Sequence, residues 1–250
     1  MPSVAAGGYR SLGERRVPFT GLRRKIAEHL VKSKHTAPHF AYVEEADMTK
    51  LVAMRDELLP LAEEQGVKLS FLPFIIKAVI TNLRKYPALN SQIDENTQEI
   101  VFKNDFHMGV AVATDQGLVV PVVKYADQKS ILTIAQEIKS LADKARSGKL
   151  GLDELRGGTF TLTSIGSIGG LFSVPIINYP EVAILGVNKI EKRPVVRNIN
   201  GQDQIVIREM MYLSISGDHR AVDGAEVALF MKDLIETLEN PARLLLTEGL

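Results

Sequence analysis

The chain has no cysteine among its 250 residues. That absence excludes a disulfide framework, a thiolate metal site and a cysteine nucleophile together. Any thiol chemistry must therefore use a thiol that a substrate brings. The chain also lacks an excess of either charge, with 30 Lys plus Arg against 30 Asp plus Glu. That balance does not indicate a broad nucleic-acid surface, though it is compatible with a local basic patch around a phosphate. No apolar run is long enough to cross a bilayer. The first 17 residues hold small residues and late arginines but no apolar block, so they read as a linker remnant rather than a signal peptide. The location expected from these absences is cytoplasmic, or the matrix if the source is mitochondrial. No internal repeat and no low-complexity tract is present. No linker-like break follows residue 17, so one domain is expected over residues 18–250.

What is there is an ordinary globular mixture, 45% apolar and 24% charged. Leu22, Ile26 and Leu30 recur at helical spacing until Pro38 ends the run. HFAYVEEADM reads as a strand leading to an N-cap at Asp47, with a helix over about 48–65 that Gly66 stops. Ser70 is expected to cap a third helix in FLPFIIKAVITNLRKYP, whose first half is apolar nearly all round and so belongs in a core. EIVFK, HMGVAVAT and GLVVPVVK are short β-branched runs split by turn residues. A helix over 131–146 follows, capped by Ser130, with Ile131, Ile134, Ile138, Leu141 and Ala145 on one face. GTFTLTS, EVAILGVNKI and MMYLSIS read as further strands, and a last helix runs from about 224 to 238. Helices and strands mix without a strict alternation, which predicts an α/β domain with a mixed sheet and helices packed on it.

Two clusters could carry chemistry. In Ser216-Gly217-Asp218-His219-Arg220-Ala221-Val222-Asp223-Gly224, a strand ends and the chain turns before a helix. A histidine so placed is held rigidly at a cleft, and imidazole can accept and return a proton near neutral pH. His219 is thus a candidate base or a satisfied core histidine. Asp223, three residues before Glu226, fits a helix cap. The second cluster, residues 157–170, starts as a strand and becomes a Gly-rich loop rich in hydroxyls, which could stabilise an oxyanion or be a plain loop. It lacks the hydrolase elbow and the Walker lysine. His35 and His39 have a metal-pair spacing, but Pro38 between them argues against a shared helix and no third ligand stands out, so no metal is expected. Lys144 in Asp143-Lys144-Ala145 sits inside an amphipathic helix, the wrong place for a lipoylated lysine. The apolar tip Leu244-Leu245-Leu246 is either core or a docking knob.

DHRAVDG at 218–224 resembles the DHRxxDG signature of dihydrolipoamide acyltransferases, the core components of 2-oxo acid dehydrogenase complexes. PHFAYVEEADMTKLVAMRDEL, GVKLSFLPFIIKA, GLVVPVV, GGTFTLTSIGSIGG and PEVAILGV match the family's pattern in the same order, so the resemblance spans about 17–246. It implies a fold like chloramphenicol acetyltransferase, built as a homotrimer. The active site would lie in a channel between subunits, with coenzyme A entering one end and a lipoyl arm the other. It implies that His219 is the base, facing Thr163 of the next subunit, whose hydroxyl would hold the oxyanion. Asp223 would occupy the acidic position of the signature, and Arg55 would contact the phosphate end of coenzyme A. The base would deprotonate a thiol, the thiolate would attack the acyl thioester, and no acyl-enzyme would form. Trimers would join into a 24-mer or 60-mer core with the C-terminal tip as the knob. In longer members a lipoyl domain and a subunit-binding domain precede this region and engage the decarboxylating dehydrogenase and dihydrolipoamide dehydrogenase. The acyl group expected from PHFAYVEEADMTKLV, KLSFLPF and SIGSIGG is branched-chain. Acetyl is the alternative, succinyl comes third, and a free small-molecule acetylase on the same fold is the rival enzyme.

Overall fold

The computed structural model describes residues 13–246 except 165, 167 and 168. In chain order the main elements are α1 (Gly21–Thr36), β1 (His39–Asp47), α2 (Thr49–Glu64) and α3 (Leu72–Leu83). Then come β2 (Ser91–Asp94), β3 (Glu99–Phe102), β4 (Met108–Val110), β5 (Val112–Thr114), β6 (Gly117–Val119), β7 (Val122–Val123) and α4 (Ile131–Arg146). The chain ends with β8 (Phe160–Ser164), β9 (Ala183–Ile199), β10 (Gln202–Asp218) and α5 (Gly224–Glu239), followed by a short turn at Pro241–Leu246.

Six strands form one mixed sheet in the order β1-β10-β9-β8-β4-β7. β8 runs parallel to both β4 and β9, while the other pairs are antiparallel. The mixed α/β sheet is the architecture the sequence pattern predicts. Alternation along the strands splits the sheet into two unlike faces. Leu162, Leu185, Leu213 and Ile215 are all buried on one face, against Phe74, Leu234 and Phe230 from α3 and α5. Each such side chain stabilises the fold by about 1.5–3 kcal/mol. The other face is small and polar in its middle, with Thr161, Gly186, Ser214 and Ser216 in register on neighbouring strands.

Local chemistry sets most of the element ends. Ser130 caps α4 by accepting the Thr133 N–H at 3.1 Å, and Asp223 caps α5 by accepting the Glu226 N–H at 2.8 Å, both as the sequence predicts. Two expected caps differ. Met48, not Asp47, is the cap position of α2, and the Asp47 carboxylate instead accepts from the Thr49 amide and hydroxyl and binds Arg197. Phe71, not Ser70, precedes α3, whose first turn is set by the fixed φ of Pro73. The expected strands HMGVAVAT and GLVVPVVK are each cut in two. Pro121 has no N–H for a ladder, and its carbonyl receives the Val110 N–H at 2.9 Å.

The largest difference is the hairpin of β9 and β10. The sequence reading places a strand at each end of it, whereas each strand runs 17 residues. Asn200 and Gly201 turn the chain with φ of 52° and 83°, the positive pair that a tight two-residue hairpin turn needs. β2 is also absent from the sequence reading. It pairs with β3 in a separate two-stranded hairpin. At the C-terminal tip Leu244 is buried in the core and Leu245 is 71% exposed.

Candidate active site

The chain around His219 is folded by its own sequence. Gly217 at the end of β10 faces Phe40 of β1, and a Cβ there would stand 2.9 Å from the Phe40 ring, so only glycine lets that ring pack. The same ring supports the His219 imidazole at 4.7 Å between centroids. The His219 amide donates to the Pro38 carbonyl at 3.1 Å, and the Ala221 and Val222 amides donate to the Asp218 carbonyl. The Asp218 side chain is buried and receives the Arg220 amide at 3.0 Å and the Arg220 guanidinium at 2.7–3.2 Å. His219 therefore sits exposed at the tip of a turn whose two flanking side chains grip each other. Asp223 lies just beyond, with its carboxylate engaged in the α5 cap.

Thr163 is half-buried on β8. It pairs with Gly186, which pairs with Ser214, so the three share the small polar face. A Cβ on Gly186 would meet the Ser214 hydroxyl at 2.3 Å, so glycine keeps the floor beside Thr163 low. His219 is two strands sideways and five residues along from Thr163, a separation on the order of 20 Å. Two side chains cannot close that gap within one chain.

Arg55 lies elsewhere, on α2. Its guanidinium donates to the Leu69 carbonyl at 3.1 Å and to Asp56 at 2.9 Å, and it stacks over Phe71 at 5.1 Å. Phe71 in turn lines a cleft of about 820 Å³. Val112, Ser164, Gly166 and Asn188 form other walls, and Lys68, Arg146 and Lys189 bring positive charge. The cleft has the size and charge for a nucleotide-bearing ligand. The sequence reading gives no role to Lys68, Arg146 or Lys189, because they come from three separate segments.

Two of the sequence candidates have their side chains engaged elsewhere. His39 has both ring nitrogens engaged, Nδ1 donating to the Ala37 carbonyl and Nε2 accepting the Ile177 amide. Lys144 is on α4 and pairs with Glu154 at 2.7 Å. Among the described residues, no group of three or more His, Asp or Glu could hold a metal, and no helix is long and apolar enough to cross a membrane. Ile165, Ser167 and Ile168 of the Gly-rich loop lie outside the described residues.

Comparison with known proteins adds to this geometry. The family described as 2-oxoacid dehydrogenases acyltransferase (catalytic domain) matches residues 11–246. The dihydrolipoyllysine-residue acetyltransferase component of the Bacillus subtilis pyruvate dehydrogenase complex is 42% identical over 98% of this chain and 54% of its own length. The Staphylococcus aureus counterpart is 48% identical over 91% of this chain and 52% of its own. The chain thus spans about half the length of the curated relatives it matches. Among solved structures, the Azotobacter vinelandii dihydrolipoamide acetyltransferase superposes with a TM-score of 0.88 at 41% identity, covering 98% of both chains. That structure served to investigate the roles of a serine, a histidine and an asparagine in catalysis. The cubic core of a pyruvate dehydrogenase multienzyme complex matches equally well. Chloramphenicol acetyltransferase, at 18% identity and a TM-score of 0.53, shares the fold. These relatives are acetyltransferases, so the branched-chain expectation finds no support among them. Fold motifs do not encode the acyl pocket, where each methylene changes binding by about 1 kcal/mol.

Proposed function

The chain belongs to the family of 2-oxoacid dehydrogenase acyltransferase catalytic domains, and from that membership we propose that it moves an acetyl group between dihydrolipoamide and coenzyme A. The observation that carries the reading is the exposed His219 at its gripped turn, within the family's signature and among acetyltransferase relatives. Residues 18–250 form the catalytic domain in this reading. In this reading the cleft receives coenzyme A, with Lys68 and Arg146 on its walls and Arg55, stacked on the lining Phe71, meeting its phosphate end.

Neutral His219 takes the proton of the attacking thiol. The thiolate adds to the acyl thioester, and the tetrahedral oxyanion is held by the Thr163 hydroxyl. As the intermediate collapses, His219 returns the proton to the leaving thiolate. The separation of roughly 20 Å between Thr163 and His219 in one chain supports a site shared by two subunits, with the histidine of one facing the threonine of the next. A homotrimer satisfies that need, and trimers joined into a larger core agree with the cubic assembly of the relative. Asp223 shapes the site by starting α5 where it does.

The test is acyl transfer from acetyl-CoA and isobutyryl-CoA to free dihydrolipoamide, for wild type and His219→Ala. Acetyl-CoA should be preferred. Loss of the general base should slow turnover about 10²–10⁴-fold while the assembly stays intact. An unimpaired His219→Ala variant would refute the base, and a preference for isobutyryl-CoA would restore the branched-chain assignment.

A further inference from the structure

The turn that carries His219 is gripped from outside as well as from within. Arg220 folds back on Asp218 through its Nε and Nη2 atoms, at 2.7–3.2 Å. Its remaining edge, Nη1, meets the Glu95 carboxylate at 3.0 Å, 125 residues away in sequence. Glu95 sits in the turn of the β2–β3 hairpin, which is stiff. The Asp94 carboxylate accepts the Asn96 amide at 2.8 Å, and the Gln98 side chain donates to the Glu95 carbonyl at 2.8 Å. The hairpin is tied to the sheet through Gln92, which bridges to Glu181 and donates to the Gly158 carbonyl at 3.1 Å. A third element converges on the same carboxylate. The Tyr179 phenol faces Glu95, and the Tyr179 ring carries the Lys32 ammonium of α1 at 4.7 Å.

We propose that Glu95 is a positioning residue for His219 and acts through Arg220. The inference rests on the acyl-transfer reading above. One cation is shared by two acids of different kinds. Asp218 is buried and rigid and fixes the base of the turn, while Glu95 is half-exposed and fixes how the guanidinium lies across it. His219 is the residue between those two anchor points. Its direction is therefore set by a hairpin that reaches the turn through Glu95. Exposed ion pairs of this kind add little to global stability, so a geometric role explains three elements meeting at one surface carboxylate better than a stabilising one does.

The experiment compares wild type, Glu95→Gln, Arg220→Lys and the double variant as whole assembled protein, in the acetyl-CoA to dihydrolipoamide assay. Lysine cannot fork onto both acids. Glu95→Gln should lower kcat about tenfold through misplacement of the base, with both KM values, the melting midpoint and the assembly unchanged. In the Arg220→Lys background the same change should add nothing, because the two act as a unit. Wild-type turnover by Glu95→Gln, a loss confined to KM, or the full loss repeated on top of Arg220→Lys would overturn the proposal while leaving the acyl-transfer reading intact. A wild-type chain with no transferase activity would overturn both.

Discussion

Glu181 offers a test that depends on physics rather than on the reaction. It is 3% exposed, and burial pushes its carboxyl up to about 8, against the hydrogen bonds from Thr161 and Asn178 that favour the anion. Asn178 donates to one carboxyl oxygen at 3.0 Å, and the other oxygen is buried with no hydrogen-bond partner. The folded chain thus keeps a proton that the unfolded chain loses above its ordinary value of 4.5. Raising the pH between those values favours the unfolded state. The stability is whole below pH 4.5 and falls by about 1.4 kcal/mol per pH unit until the folded carboxyl itself ionises. From pH 5 to pH 7 the loss is about 3 kcal/mol, or roughly 5–10 °C in melting midpoint for a chain of this size. Glu181→Gln has nearly the same shape and cannot ionise. Melting curves of both proteins by circular dichroism, at one protein concentration across pH 5–8.5, should show the variant gaining on wild type as pH rises. The gap should stop widening above about pH 8. Curves that stay parallel over the whole range would refute a proton held by Glu181.

Thr163→Ala should cost about 10²–10³ in kcat through loss of an oxyanion donor, whereas Thr163→Ser should keep most of the activity; equal losses would show that the hydroxyl is not the donor. Asp223→Ala should lower stability by about 1 kcal/mol by removing the α5 cap, and Asp223→Asn should preserve both melting midpoint and activity. An Asp223→Asn protein with a normal midpoint and no turnover would show that the carboxylate charge takes part in the chemistry.

The turn at residues 218–223 was more legible in the sequence than the frame that holds it. His219 and Asp223 lie within one short stretch between a β-run and a helix, so their spacing carries the turn. Asp223 reads correctly as a cap because capping is a local bond between residues three apart. The long hairpin was missed because Val196, Ile205 and Ile207 are exposed and the segment is broken by charges. An alternation with apolar residues facing outward gives no core signal. The Asn200-Gly201 pair was the usable clue. Asp47 misled because a carboxylate that binds a hydroxyl, an amide and an arginine looks, in sequence, like any helix cap. The cationic cleft and Glu95 were invisible for a different reason. Their members meet only through tertiary packing, and no spacing rule joins residues 68, 146 and 189, or 95 and 220.

The placement of Thr163 and His219 on distant parts of one sheet has a consequence for regulation by amount. If the proposed shared site holds, each polypeptide carries two halves that belong to two different reaction centres. Diluted until the subunits part, the chains would lose turnover entirely. Catalytic output would then scale more steeply than linearly with chain concentration, so that activity itself counts completed assemblies. Mixing chains that lack only the histidine with chains that lack only the threonine would regenerate some intact centres from two silent parents.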